Sequence, residues 1–216
     1  MDGQLAELTL MDVDAPPSVP HEATRSVAGC PEADSDAIAA DALERARAGD
    51  MDAFRRLIHL HQGRVFSIAL RFTGRHAEAE ELAQDVFVQL HGALDRIESP
   101  SHLVHWLLRT VSHRCIDRQR HERRRPRLVP IESAPQGADP AAPESGGDPL
   151  ASARLRRMLQ QLAPDARAVM LLRYQEDLDP SDIALALGMS VNTVKSHVRR
   201  SLEWLRAQYT GEDHGY

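Results

Sequence analysis

The stretch from Asp179 to Arg206, DPSDIALALGMSVNTVKSHVRRSLEWLR, constrains this chain more than any other. Asp179 suits an N-cap, Pro180 the first helical position, and Asp182, three residues later, a capping-box partner. Gly188 can take the positive φ that ends a helix, and Ser190 can cap the next one. Val191, Val194, Val198, Leu202 and Leu205 recur at three- and four-residue spacing on one face of that second helix. Its other face carries Asn192, Thr193, Lys195, Ser196, Arg199 and Arg200. Two short helices around a tight turn, the second apolar inside and rich in hydrogen-bond donors outside, make the pattern of a helix-turn-helix that can enter a DNA groove. A plain surface hairpin with solvated charges would not require caps, turn glycine and apolar register to agree over the whole stretch.

Charge is unevenly spread along the 216 residues, whose formal net charge is −6. Residues 1–40 hold eight acidic side chains against one basic, and residues 109–127 hold eight arginines against Asp117 and Glu122. Residues 191–206 add Lys195, Arg199, Arg200 and Arg206 against Glu203. Local potential rather than total charge governs phosphate contact, so two basic islands in an acidic chain suit a nucleic-acid binder. Two distant cysteines, Cys30 and Cys115, form no CxxC pair, which excludes a disulfide scaffold or zinc ribbon. With neither a basic-then-apolar leader nor a run of membrane-span length, the expectation is a soluble, cytoplasmic protein without a membrane span.

Taken in order, residues 1–40 contain four prolines, many acids and no sustained apolar period, and read as a disordered acidic arm. Asp50 caps a helix in which Phe54, Leu57, Ile58, His61, Val65, Ile68, Ala69 and Phe72 keep the helical period until Thr73-Gly74. A second helix starts near Ala77, buries Leu82, Val86, Phe87, Leu90 and Leu94, and presents Glu81, Gln84, Asp85 and Gln89 outward. Ser99-Pro100 breaks the chain and Ser101 can cap a third helix, His102 to Arg124, with Leu103, Trp106, Leu107, Leu108, Val111 and Cys115 inward. That helix ends in RQRHERRRPR. Residues 126–149, with six prolines and three glycines, read as a flexible acidic linker. Leu150 to Leu162 and a helix opened by Pro164 then lead into the helix-turn-helix. The architecture expected is all-α: a three-helix domain at 41–125, the linker at 126–149, a four-helix domain at 150–208 and a tail at 209–216.

These pieces, in this order, resemble the sigma-70 superfamily, and in particular the short extracytoplasmic-function (ECF) sigma factors, which keep conserved regions two and four. FRRLIHLHQGRVFSIALRFTG looks like the first helix of region two. AEAEELAQDVFVQLH is similar to the segment that grips the polymerase β′ clamp helices. SHLVHWLLRTVSHRCIDRQRHERRR resembles the helix that melts and reads the −10 element, with the family's Trp at Trp106 and Asp at Asp117. LAPDARAVMLLRYQEDLDPSDIALALGMSVNTVKSHVRRSLEWLR resembles region four, with the family's signature at Thr193-Val194-Lys195-Ser196. Leu103 stands where the family usually has Phe.

The resemblance implies a factor that binds core RNA polymerase and directs promoter recognition, melting and transcription initiation, with no catalytic centre, cofactor or metal of its own. Glu81, Gln84, Asp85 and Gln89 would face the β′ clamp. Trp106 would stack on a base, and Arg109, Arg114, Arg118, Arg120, Arg123 and Arg124 would hold phosphates of the melting −10 region. Asn192, Thr193, Lys195, Ser196, Arg199 and Arg200 would anchor the −35 duplex through its major groove. Partners implied are the polymerase β′ clamp helices and β flap, promoter DNA and an anti-sigma factor, with the acidic linker threading a basic channel of the enzyme. The alternative is a stand-alone helix-turn-helix transcriptional regulator, which would need neither the polar strip at 81–89 nor an arginine-loaded third helix. His113 and Cys115 lie about 200° apart on a helix and make no metal pair. No HExxH, nucleophile elbow or phosphate-cradling glycine loop occurs, which leaves an enzyme without a motif.

Overall fold

The structure, a computed structural model, describes residues 32–124 and 149–211. The expectations for the acidic arm before residue 32, for the linker up to residue 148 and for the last five residues lie outside the described residues. Among those described, all regular structure is helical: α1 (Glu32–Arg47), α2 (Met51–Thr73), α3 (His76–Ala93), a 3₁₀ turn (Leu94–Arg96), α4 (Pro100–Arg124), α5 (Pro149–Gln161), α6 (Pro164–Tyr174), α7 (Pro180–Leu187) and α8 (Val191–Gly211). The boundary expected at residue 40 therefore falls inside α1.

Local chemistry sets most of the helix ends. The Asp50 side chain accepts from the backbone N–H of Asp52 (2.9 Å) and Ala53 (3.1 Å) and starts α2, while its second oxygen takes Arg45 (2.6 Å). The Ala53 N–H and Arg45 hold that carboxyl below its usual value. Gly74, at φ 75°, ends α2 in the left-handed conformation, with its N–H on the Leu70 carbonyl. Gly188, at φ 64°, does the same for α7, and the Met189 N–H reaches the Ala184 carbonyl at 2.9 Å. Ser190 Oγ accepts from the Thr193 N–H at 3.1 Å, as a cap of α8 should.

Three local expectations need correction. Asp179 occupies an extended N-cap position, but its side chain makes no capping hydrogen bond; the start of α7 rests on Pro180, whose fixed φ and missing N–H suit the first turn. The third helix begins at Pro100 rather than His102, so its cap is Ser99, whose Oγ accepts from the His102 N–H at 3.1 Å, not Ser101. Val191 is 39% exposed, because it sits at the first position of α8, ahead of the point where Val194 (0% exposed) meets the core.

The core explains the helix order. Leu57, Val65, Ile68 and Phe72 of α2, Leu82, Val86 and Leu90 of α3, and Leu103, Leu107 and Val111 of α4 are buried together, with Leu43 of α1 and Ile97 of the α3–α4 connection added to the same cluster. In the C-terminal half α6 is buried over most of its length, from Ala166 to Leu172, and lies at the centre. One side packs Ala166 and Met170 with Met158, Leu162 and Leu205, next to Leu202 and Trp204. The other side, Ala168, Val169, Leu171 and Leu172, joins the cluster that holds α2, α3 and α4. Helix α4 packs against α6 and α7, and α2 against α5 and α6. The two halves, read from the sequence as separate helical domains, share one continuous apolar core here.

Candidate nucleic-acid and partner interfaces

The strip expected on the second helix does face outward. Glu81, Gln84 and Asp85 are exposed and Gln89 is half-buried, since they lie opposite Leu82, Val86 and Leu90. Beside them a groove of about 920 Å³ opens between α2 and α3, lined by Phe54, Ile58, Phe66, Phe87, Val88 and Gln84, among others. Val88 is 73% exposed at its edge. Sequence reasoning named the polar strip and missed this apolar partner. The signal was Val88 itself, an aliphatic residue on the otherwise polar face.

On α4 the structure divides the expected residues into two sets. At about 100° per residue, Trp106, Arg109, Arg120 and Arg124 fall within one stripe, whereas Arg114 and Arg118 lie on the side toward α3. Trp106 is half-buried, with one face against the core rather than wholly inward. Arg109 is half-buried, and Arg123 and Arg124 are exposed at the helix end. Arg118 pairs with Glu81 and Arg114 donates through Nε to the Gln89 side-chain oxygen (3.0 Å) when that amide is oriented to match donor with acceptor. Two residues assigned to polymerase therefore hold two assigned to DNA. Arg120 donates to both oxygens of Asp165 on α6, at 2.9 and 3.0 Å.

On α8, Asn192, Thr193, Lys195, Arg199 and Arg200 are exposed and Ser196 half-buried, with Val194 buried behind them. The Thr193 hydroxyl meets Ser190 Oγ at 2.8 Å, and Arg199 lies 3.9 Å from Glu203, a solvated pairing of little strength. The helix thus offers an uncovered cationic face with a rigid apolar back.

Arg167 went unnoticed in the sequence, although an arginine within the apolar run PDARAVMLL is a visible anomaly. It is 2% exposed. Its guanidinium donates to the carbonyls of Leu159 (2.9 Å), Gln160 and Leu162 (3.3 Å) around the C-terminal end of α5, and of Phe72 (2.6 Å) in the last turn of α2. It therefore caps the negative ends of two helices from the two halves of the fold. Its Cζ also lies 4.9 Å from the Phe72 ring centroid, and the Gln119 amide oxygen of α4 can accept from it at 3.2 to 3.3 Å. Burial, with no carboxylate to offset it, brings its pKa down to about 10. Burial likewise pushes the thiol of Cys115, 1% exposed, up to about 12, which makes it an inert core residue.

Comparison with known proteins bears on both halves. Residues 57–125 match the model of sigma-70 region 2, and residues 152–205 match that of sigma-70 region 4. The chain is 30% identical over 164 residues to the RNA polymerase sigma factor CarQ of Myxococcus xanthus, covering 76% of this chain and 93% of that one. The chain belongs to the sigma-70 family. Within it, the ECF group is indicated by the ECF RNA polymerase sigma factor SigW of Bacillus subtilis, 28% identical over 178 residues, 77% of this chain and 94% of the relative. In fold, this sigma factor is similar to RpoE of Bartonella quintana, solved in complex with the anti-sigma factor NepR, with a TM-score of 0.60 at 24% identity over 73% of this chain and 96% of that one. It is also similar to CnrH, solved with the cytosolic domain of CnrY, with a TM-score of 0.57 at 23% identity over 82% and 97%. The protein is thus an ECF RNA polymerase sigma factor, all-α in fold. The stand-alone regulator is not favoured. Among the described residues no helix is long and apolar enough to cross a membrane.

Proposed function

We propose that this sigma factor works through three separate surfaces, and that it does so in the cytoplasm without a catalytic centre of its own. The α3 strip of Glu81, Gln84, Asp85 and Gln89, with the apolar groove beside it, docks on the clamp helices of core RNA polymerase. An acidic rim around a concave apolar patch gives orientation from charge and affinity from burial. Trp106 and Arg109, with Arg114, Arg118, Arg120, Arg123 and Arg124, engage the −10 region as it opens. Unpairing costs a few kcal/mol per base, offset by stacking and by phosphate neutralisation. Asn192, Thr193, Lys195, Ser196, Arg199 and Arg200 enter the major groove of the −35 duplex. The observation that carries this reading is the outward, cationic face of α8 set on a rigid apolar back, with a second arginine-rich helix on the other half of the molecule.

An anti-sigma factor that covers these surfaces is part of the same proposal, supported by the structural neighbour RpoE, solved with the anti-sigma factor NepR. The test is reconstitution. Purified protein, core polymerase and promoters selected from random DNA should give a ternary complex and a defined start site. Absence of a complex with core polymerase refutes the reading.

A further inference from the structure

Two histidines in the first turns of α4, His102 and His105, have their hydrogen-bonding states set by the backbone. The Glu98 N–H donates to Nδ1 of His102 at 3.3 Å, and Nδ1 of His105 meets the Ser101 carbonyl at 2.8 Å. A backbone N–H only donates and a carbonyl only accepts, so neutral His102 carries its hydrogen on Nε2 and neutral His105 carries it on Nδ1. The distal Nε2 is therefore a donor on His102 and an acceptor on His105. Among the described residues neither Nε2 has a hydrogen-bond partner.

Both rings share the stripe that holds Trp106 and Arg109. At about 100° per residue, His105, Arg109, His102 and Trp106 follow one another across roughly 100° of the helix circumference. Residues three apart on a helix have their Cβ atoms about 5–6 Å from each other, near enough to address one base together. His105 is exposed, and His102, Trp106 and Arg109 are half-buried, so the stripe is open to an incoming strand. On the opposite face Leu103 and Leu107 are buried in the core, which holds the stripe in a fixed orientation.

We infer that His102 and His105 form a base-edge reader, a donor and an acceptor that together take the hydrogen-bonding edge of one unpaired base beside Trp106. The inference rests on the assignment of α4 to −10 DNA and adds to it two residues and their chemistry. Every nucleobase carries a donor and an acceptor side by side on its Watson–Crick edge, and in a duplex the complementary base engages both. The histidine pair is satisfied only once the strands part, so its contribution falls on the open state and shifts the equilibrium toward melting. The arginines of the same helix cannot make this distinction: they offer donors only, and phosphates are present in closed and open DNA alike.

Asparagine reproduces the proximal half of an imidazole: its amide can keep the bond to the Glu98 N–H or to the Ser101 carbonyl, while nothing takes the place of Nε2. His102→Asn with His105→Asn therefore deletes the reader and spares its anchors. Holoenzyme affinity is measured on a promoter selected from random DNA whose −10 element is held open by mismatches, with the Watson–Crick edge of one non-template base at a time blocked by methylation. The parent should lose about five- to a hundredfold in affinity at one position, the worth of a good two-bond base contact. The variant should show that loss already on the unmodified bubble, and no further loss from methylation at that position. Full affinity of the variant for the unmodified bubble, or a methylation penalty equal in parent and variant at every position, overturns the reader. Arg109→Ala separates this from the reading beneath it. If that variant also keeps full affinity, α4 does not meet −10 DNA and both fall; if it weakens binding where the histidine variant does not, only the reader falls.

Discussion

Replacement of Arg167 by Met tests how far one buried cation joins the two halves. Met keeps most of the aliphatic volume but removes every donor, leaving the carbonyls of Phe72, Leu159, Gln160 and Leu162 to be satisfied in a site where Arg167 itself is 2% exposed. A hydrogen bond to a charged group contributes about 1.5–3 kcal/mol net, and a buried acceptor left bare costs about 1–3 kcal/mol. Against this stands the desolvation of the guanidinium, visible in its depressed pKa, which the substitution relieves. With four carbonyls left without their donor and one desolvation regained, the net loss should be about 3–5 kcal/mol, the range for breaking a buried charged network. For a chain of this length each kcal/mol moves the midpoint by about 2–4 °C, so Tm should fall by roughly 6–20 °C. Because Phe72 belongs to one half and the other three carbonyls to the other, the parent should melt in a single transition and Arg167→Met in two. Scanning calorimetry decides this. A fall below about 2 °C with one transition preserved would refute the claim that Arg167 couples the halves.

Other outcomes follow from the remaining surfaces. Asp85→Lys should weaken core polymerase binding about tenfold or more, the loss that ~1.4 kcal/mol brings, while duplex binding by α8 stays unchanged; unchanged affinity for core polymerase would remove α3 from that interface. Lys195→Ala with Arg199→Ala should lower the salt slope of duplex binding by about two phosphate contacts, and a slope equal to the parent's would place both side chains off the DNA. Glu176 has its carboxyl pushed up from 4.5 by burial, which outweighs the opposing pull of Arg64. Its folded pKa is raised, so the folded state holds the proton more tightly, and stability from this group is present below pH 4.5 and lost as pH rises through the folded value. The Tm of the parent should therefore decline relative to Glu176→Gln between pH 4.5 and 7, and the opposite trend would show that the Arg64 pairing outweighs burial.

Helix-turn-helix geometry was legible in the chain because its causes are local. Ser190 reaches an N–H three residues away, Gly188 takes a positive φ on its own, and the stripe from Val194 to Leu205 needs only the helical period. The same holds for Asp50 and Gly74, for the outward strip on α3 and for the arginines of α4, whose exposure follows from the apolar residues behind them. Even the local misreadings at Ser101 and Asp179 moved a cap by two residues or removed one hydrogen bond without changing a helix. What the linear order could not reveal is the use of those surfaces against each other. Arg167 meets the Phe72 carbonyl across 95 residues, His113 meets Ala186 across 73, and Arg120 meets Asp165 across 45. Such contacts leave no period or cap, because they depend on how two amphipathic assemblies bury their remaining apolar faces. An arginine in an apolar helix can only be seen as an oddity until the fold brings carbonyls to it. Sequence determined the helices from α2 onward and which of their faces are charged, but not α1, which begins inside the stretch read as a disordered arm; tertiary packing decided that α6 joins both cores and that Arg114, Arg118 and Arg120 of α4 have partners within the chain.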